Sequence, residues 1–267
     1  MVGIYIKNHN ILIVKALALI SIMLCLSLQG FAQKTWDGGA GTSNWGDANN
    51  WNPNGVPAAT DNVTIDPNLS IVVNGNYSCA SITFSGTSAN NSTLTVNSGY
   101  TLTVSGNVSL NGAAGNNTQC IIAGSGTLSC SSIIVAPTDI NPTGGRTYII
   151  TSTINSLQVS NNISINSYVG SINNRRGNSS FIITSGNVSV GGSIVTYNEN
   201  GNNTSTFTLG NSSPVLTLNG SSPFNISGTG TSTITLNGTG ATVIYNNNSA
   251  QSIGAYTYYN LTSSGGG

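Results

Sequence analysis

Three tryptophans are the side chains in this sequence best suited to recognising a ligand, and they lie close together. Trp36, Trp45 and Trp51 all fall in one short segment. An indole ring offers a large flat apolar face and one hydrogen-bond donor, which is what a sugar-stacking platform requires. The same rings would serve as a lid over the end of a packed core. The sequence leaves both interpretations open, a carbohydrate-binding module and a structural cap, and we prefer the cap.

Carboxylates near the tryptophans raise the question of a metal. Asp61 and Asp66 flank a short apolar run, and Ca²⁺ takes carboxylate, amide and backbone oxygens as ligands. Neither an EF-hand loop nor a nonapeptide calcium repeat surrounds them. Aspartate also caps turns frequently. Calcium at Asp61 and Asp66 is therefore one alternative, and no other cofactor is indicated.

The cysteines allow at most one disulfide. Cys79, Cys120 and Cys130 remain once the first segment is removed, and an odd count leaves one thiol over. Cys120 and Cys130 lie on neighbouring strand-like runs, which makes them the candidate pair. The alternative is that all three are small buried hydrophobic residues.

Catalytic signatures are sparse, and we predict that the protein is not an enzyme. The one histidine, His9, lies in the first segment, so the remainder contains neither a Ser-His-Asp nor a Cys-His arrangement. No phosphate-binding glycine loop is present. A polysaccharide hydrolase needs converging carboxylates, and a lyase needs a basic residue beside acidic ones. The isolated charged residues of the body are Asp139, Arg146, Arg175, Arg176 and Glu199. A polysaccharide lyase or hydrolase is the least favoured alternative.

The first segment has the features of a secretory signal peptide. Lys7 and Lys15 precede an apolar run at 16–28. The small residues Gly30 and Ala32 then form a cleavage site of the small-x-small type. The run is shorter than the roughly 20 residues of a membrane-spanning helix. We predict that residues 1–32 are removed, that the protein is secreted or displayed at the cell surface, and that the mature chain has no transmembrane span. A retained membrane anchor is the alternative.

The composition limits the class of protein. Only 12 of 267 residues are charged, or 4%, against roughly 25% in ordinary domains. Asn, Ser and Thr together supply 108 residues and Gly supplies 33. Helices are normally built from other residues, and nucleic-acid binding needs a basic face. A helical fold and a nucleic-acid partner are therefore not expected.

Short alternating runs predict an all-β fold. Residues 101–104 read Thr-Leu-Thr-Val, and this period of two places aliphatic side chains on one face and hydroxyls on the other. Residues 105–110 (SGNVSL) return as 185–190 (SGNVSV), and 216–220 (LTLNG) return as 234–238 (ITLNG). Repeated runs indicate a parallel β-solenoid, with like stacked on like in rungs of about 18–30 residues. The runner-up is an antiparallel β-sandwich, whose strands also recur every 8–12 residues.

The chain therefore divides into three parts. Residues 1–32 are the signal peptide, residues 33–66 form a Trp-rich N-terminal cap module, and residues 67–267 form the solenoid body. A solenoid requires such caps because its last coil otherwise exposes apolar side chains and strand edges. The aromatic residues near the other end are Tyr256, Tyr258 and Tyr259, either packed on the last rung or available to sugars.

Both ends carry patterns that resemble a known group. The N-terminal pattern comprises Trp36, Trp45, Asn50-Trp51, Val56-Pro57 and Asp61-x-Val63-x-Ile65, and the C-terminal pattern comprises residues 243–246 (VIYN), 250–253 (AQSI) and 258–265 (YYNLTSSG). Together they resemble segments of large secreted surface proteins of Bacteroidetes-type bacteria.

The resemblance implies an adhesin-like protein with a repetitive β-helical stalk, exported by type IX secretion. Its partners would be cell-surface or extracellular polysaccharides or other surface proteins. Members of that group normally end in a sorting domain, whereas this sequence ends at Gly265-Gly266-Gly267. We therefore expect the sequence to be the N-terminal part of a longer chain, truncated at its C-terminus.

Overall fold

The computed structural model describes the strand-rich part of the chain. The described residues are Lys15 and the ranges 33–66, 68–86, 90–112, 117–137, 147–166, 177–198 and 203–264. The chain divides into two units, Met1–Ala32 and Gln33–Gly267. Apart from Lys15, the predicted signal peptide lies outside the described residues, and every described strand belongs to the second unit. Within the described ranges, no helix is both long enough and apolar enough to cross a membrane.

The alternation of apolar and hydroxyl residues produces strands that are buried at every second position. Strands β9 (Thr118–Ala123) and β14 (Asn178–Ile183) alternate buried and half-buried residues along their whole length. Successive side chains of a strand point to opposite sides, so Cys120 and Ile122 of β9 and Phe181 and Ile183 of β14 enter the core. The first inward position of each strand is a buried hydroxyl residue, Thr118 or Ser179. Each fully buried aliphatic side chain contributes about 1.5–3 kcal/mol.

The strands pair in parallel with the strands one coil later and form three faces. Face A contains β5 (Tyr77–Cys79), the first halves of β8 (Thr101–Gly112) and β10 (Thr127–Pro137), β12 (Ser156–Val159), β15 (Asn187–Val190), β18 (Val215–Leu218), β21 (Thr242–Tyr245) and β22 (Asn260–Ser263). Face B contains β1 (Gln33–Trp36), β3 (Asn62–Ile65), β6 (Ser81–Gly86), the second halves of β8 and β10, β13 (Ile163–Asn166), β16 (Ile194–Tyr197) and β19 (Phe224–Ser227). Face C contains β4 (Ser70–Val73), β7 (Asn90–Val96), β9, β11 (Thr147–Ser152), β14, β17 (Thr204–Leu209) and β20 (Thr231–Thr235).

The chain passes from face C to face A to face B and then begins the next coil. Strands β8 and β10 bend from face A to face B without a break, and the register of β10 shifts between Cys130 and Ser132. About six coils are stacked in this way. Paired residues lie 18 positions apart for Thr242 and Asn260 and 31 apart for Ser156 and Asn187.

This arrangement confirms the predicted parallel β-solenoid and excludes the antiparallel β-sandwich. Among the described strands, the antiparallel pair is β1 with β2 (Trp51–Asn52), beside a short 3-10 helix at Ala48–Asn50. Strand β1 also pairs in parallel with β3, and β3 pairs with β6. The Trp-rich segment therefore continues face B through backbone hydrogen bonds.

Like side chains stack on like inside the solenoid. One inward column of face A consists of Leu102, Leu128, Leu157, Val188, Leu216, Val243 and Leu261. On face C, Phe181 lies over Phe207, with ring centroids 6.1 Å apart and ring planes 12° apart. Aliphatic and aromatic columns of this kind, joined by the hydrogen bonds between coils, stabilise the fold without a need for ion pairs.

Candidate binding surface

The three tryptophans pack on one another inside the core. The ring centroids of Trp36 and Trp51 are 4.9 Å apart, and those of Trp45 and Trp51 are 4.8 Å apart, both in edge-to-face geometry. Trp45 and Trp51 are 0% exposed and Trp36 is 5% exposed. A sugar can stack only on a ring face that solvent reaches. Burial therefore contradicts the interpretation of the three tryptophans as a carbohydrate-binding platform.

A polar network holds the preceding loop over these rings. The buried amide of Asn50 donates to the carbonyl oxygens of Thr42, at 3.2 Å, and of Asn44, at 3.0 Å, and its oxygen accepts the N–H of Ala40 at 3.0 Å. The indole N–H of Trp51 donates to the carbonyl of Trp45 at 2.8 Å. The signal for this core was the density of Trp and Asn, but the sequence did not reveal which face of each ring is covered.

The two aspartates proposed for calcium do not form one site. Asp61 accepts the N–H of Ala58 at 2.9 Å, and Asp66 accepts the hydroxyl of Ser85 at 2.6 Å. They lie at opposite ends of β3, roughly 16 Å apart at about 3.3 Å per residue. Calcium ligands lie within about 2.6 Å of the ion, so this pair cannot share one. Among the described residues, no cluster of three or more His, Cys, Asp or Glu is present. Asp61 instead closes a turn.

All three described cysteines are free and buried, so the predicted Cys120–Cys130 disulfide is wrong. Cys120 points inward from face C, whereas Cys130 lies in an inward column of face A, separated from Cys79 by Val104. Burial raises the pKa of Cys79 and Cys130 to about 12, with the Asp61 charge adding to the effect at Cys79. Burial also raises the pKa of Cys120 well above its ordinary value. The thiols behave as small hydrophobic residues.

The C-terminal tyrosines divide into packed and exposed residues. Tyr256 lies edge-on to Phe224, with ring centroids 4.9 Å apart. The hydroxyls of Tyr258 and Tyr245 are 2.7 Å apart, and Tyr258 donates to the carbonyl of Gly254 at 2.7 Å. Burial, followed by the hydrogen bond to Tyr245, raises the pKa of Tyr258. Tyr259, by contrast, is 55% exposed.

The charged residues weighed for catalysis lie outside the described residues. In sequence they fall between a face B strand and the following face C strand: Asp139, Arg146, Arg175, Arg176 and Glu199. The charged residues that the structure does describe all precede residue 67: Lys15, Lys34, Asp37, Asp47, Asp61 and Asp66. None of these described charged residues belongs to a strand of face A.

The outer surface of face A carries an ordered array of polar side chains. From β8 to β22, each strand presents two outward residues, which align into two columns across seven strands. The first column is Thr101, Thr127, Ser156, Asn187, Val215, Thr242 and Asn260, and the second is Thr103, Ser129, Gln158, Ser189, Thr217, Ile244 and Thr262. Hydroxyl and amide groups occupy twelve of these fourteen positions. We call these two columns the hydroxyl face.

The hydroxyl face retains free donors and acceptors. Within the described ranges, the side chains of Ser129, Gln158 and Thr217 make no hydrogen bond to another protein group, and each is half-buried or exposed. The asparagines of the adjoining turn are different. The amide of Asn219 donates to the hydroxyl of Ser189 at 2.9 Å, and Asn246 donates to Asn219 at 2.9 Å. The turn thus uses its amides to join coils, while these three strand residues leave their polar groups to solvent.

A shallow groove of about 290 Å³ lies on this face, and Ser129, Gln158, Ser189 and Asn219 contribute to its lining. Its edge includes Gly191, where a Cβ would lie 2.1 Å from the carbonyl oxygen of Ser160. Only glycine permits that approach between coils.

Sequence reasoning missed the hydroxyl face although its signal was present. Alternating Thr-x-Thr and Thr-x-Ser runs showed that hydroxyls point outward. They did not show which runs align in neighbouring coils, because that depends on the register between strands.

Comparison with known proteins yields one match. Residues 35–129 match a family model described as a domain of unknown function, DUF8693. This segment comprises most of the Trp-rich module and the first coils, a little over a third of the chain. No curated protein and no solved structure matches the chain.

Proposed function

We propose that the protein is a structural or adhesive component of the cell surface or of the secreted material, and that its β-solenoid forms a stalk. Support comes from the stacking of parallel coils around one continuous apolar core. Each coil adds the same backbone pairing, so the fold can display a repeated surface. Solenoid coils contact chiefly their neighbours, which suits an extended scaffold.

The observation that carries the proposal is the contrast between the two sides of the strands. Inward positions are mostly aliphatic or aromatic, whereas the outward positions of face A are neutral and largely polar over seven strands. A surface of this kind remains hydrated without charge, and its contacts do not weaken as the salt concentration rises. Both properties suit a protein that works outside the cell.

The proposal includes export. The run at 16–28 and the small residues before Gln33 have the pattern of a cleaved leader, and the resemblance to Bacteroidetes-type surface proteins suggests the type IX route. No catalytic step is part of the proposed role.

Export can be tested with an epitope tag inserted after Gly267 in the natural reading frame, expressed in a Bacteroidetes host. We expect the tag to be digested by protease added to intact cells, or to be found in the medium, and the mature N-terminus to be Gln33. The Leu24→Arg variant, which interrupts the apolar run, should accumulate uncleaved inside the cell. An uncleaved wild-type protein that is inaccessible to protease would contradict the proposal.

Adhesion or structural support is tested separately. Host cells that display the protein should attach to abiotic or polysaccharide-coated surfaces more strongly than cells expressing Leu24→Arg, because only the former carry the solenoid outside. Equal attachment, together with an unchanged yield of extracellular matrix, would argue against both the adhesive and the structural role.

A further inference from the structure

We propose that the hydroxyl face binds a neutral linear polysaccharide, with the groove at Gln158 and Ser189 as the centre of the site. This inference rests on the proposed function only in placing the face outside the cell. It names the ligand class and the residues that would contact it. The site is distinct from the buried tryptophan cluster, which offers no ring face to a sugar.

The chemistry of the face matches neutral sugars. Ser and Thr hydroxyls and Asn and Gln amides each donate and accept hydrogen bonds, as do the hydroxyls of a sugar ring. Gln158 and Ser129 stand side by side on adjacent coils with no partner within the described part of the protein. Binding would therefore add hydrogen bonds without breaking any that hold the coils together.

The charge distribution argues against an anionic polymer. Among the described residues, every Lys and Arg precedes residue 67, and none belongs to the strands that bear the groove. Recognition of carboxylate or phosphate groups normally uses Arg or Lys. The described strands of this face contribute no cation, which favours a neutral chain over pectate, alginate or a nucleic acid.

The backbone argues against a peptide added as an extra strand. That mode of recognition needs an unpaired strand edge, and the strands that carry the groove, in β10, β12, β15 and β18, are paired on both sides. Protein interfaces also depend on aromatic anchors in apolar pockets, whereas the two outward columns contain only Val215 and Ile244 as apolar residues.

The geometry of the face is repetitive in the way a polymer is repetitive. Neighbouring coils are about 4.8 Å apart, and outward residues on one strand are roughly 6.6 Å apart. Similar polar groups recur at these intervals along seven strands. The groove, at about 290 Å³, lies just below the roughly 300–1,000 Å³ typical of small-molecule pockets, so it would hold part of a chain that continues across the face rather than enclose a free sugar.

The test is affinity electrophoresis of the full chain, after removal of the leader, in gels containing one polysaccharide each. The neutral probes are a mixed-linkage β-glucan, xyloglucan, mannan and dextran, and the anionic probes are pectate and alginate. We expect at least one neutral polymer, and neither anionic polymer, to retard the protein. The Ser129→Ala/Gln158→Ala variant should bind that polymer at least tenfold more weakly.

A matched control separates the face from general surface effects. Ser180→Ala/Thr206→Ala removes two outward side chains that are adjacent on face C, and it should retain wild-type binding. Both double variants should keep the wild-type far-UV circular dichroism, because the substituted residues point away from the core.

Three results would overturn the inference: no neutral polymer retards the protein, retardation occurs only with the anionic polymers, or the two double variants bind equally well. A protein that is exported and surface-exposed but fails in all the gels would refute this inference and leave the proposed surface role standing. An unexported protein that binds a neutral glucan would support this inference and refute the proposed surface role.

Discussion

The two ends of the solenoid differ in whether their large apolar side chains are buried. At the N-terminal end, Trp45 and Trp51 are completely buried beneath a loop held by Asn50. At the C-terminal end, Ile226 and Leu261 are 49% and 46% exposed. Both of these residues continue inward columns, since Ile226 aligns with Thr196, and Leu261 aligns with Val243.

The difference shows that alternation alone does not bury a side chain. An inward residue is covered only when another coil, or a dedicated loop, lies over it. At the N-terminal end a loop of Asn, Gly and Trp provides the cover. Near the other end, the segment that contains Tyr256 and Tyr258 covers Phe224 and Tyr245 but not Ile226 or Leu261.

Among the substitutions that compare the two ends, truncation of Trp51 should lower the free energy of unfolding most. Trp51→Ala removes the ring that contacts both other tryptophans, and we expect a loss of about 3–5 kcal/mol in the free energy of unfolding. Tyr259→Ala, a truncation of an exposed ring at the other end, should cost less than about 0.5 kcal/mol. Urea unfolding followed by far-UV circular dichroism measures both. Equal losses of stability in the two variants would mean that the two ends do not differ in how they cover large apolar side chains.

Removal of the Asn50 amide should have the next largest effect. Asn50→Ala leaves the carbonyls of Thr42 and Asn44 without their buried donor, and we expect a cost of about 1–3 kcal/mol. Asn260→Ala, on the exposed strand β22, is the control and should stay within about 0.5 kcal/mol of wild type. Hydrogen exchange should show faster exchange in residues 37–50 of the Asn50 variant. If that loop remains protected, the amide does not hold it.

The buried thiols lie in coils between the two ends, and their ionisation makes the stability of those coils depend on pH. The folded pKa of Cys130 is raised to about 12, above the ordinary value of about 8.5. Its contribution to stability is therefore fully present below about pH 8.5 and is lost as the pH rises toward 12, by up to about 1.4 kcal/mol per pH unit.

Cys130→Val tests this contribution, because Val104 and Val159 occupy the same column one coil away. Unfolding free energies at pH 8, 9 and 10 should decline less steeply in the variant than in the wild type. Identical slopes would show that the thiol is not excluded from solvent. Wild-type thiols should also resist alkylation at pH 8 until the protein unfolds.

Polar substitution at the C-terminal end should have the smallest effect on stability. Ile226→Ser and Leu261→Ser remove side chains that are already about half exposed, so we expect a change within about 0.5 kcal/mol. Binding of a hydrophobic dye should fall. Ile165→Ser, which substitutes the same inward column two coils earlier, should cost several times more. A cost at Ile226 as large as that at Ile165 would show that this end is covered in solution.

Much of the architecture followed from local sequence, and the site did not. The alternation in residues 101–104 and the near repeats predicted a parallel solenoid, because a period of two fixes which side chains share a side of a strand. The same reasoning placed Cys120 and Cys130 on neighbouring runs and suggested a disulfide. The structure places them on different faces, since the chain turns from face C to face A between them.

The sequence by itself determined the strand content, the stacking of like on like and the scarcity of charge outside the first coils. These are properties of short segments and of composition. The tertiary structure decided that the tryptophans are interior, that Asp61 and Asp66 serve separate turns, and that free hydroxyls and amides gather on face A. Those outcomes depend on the register between strands 18 to 31 residues apart. Linking segments of unequal length set that register, and no local sequence pattern predicts it.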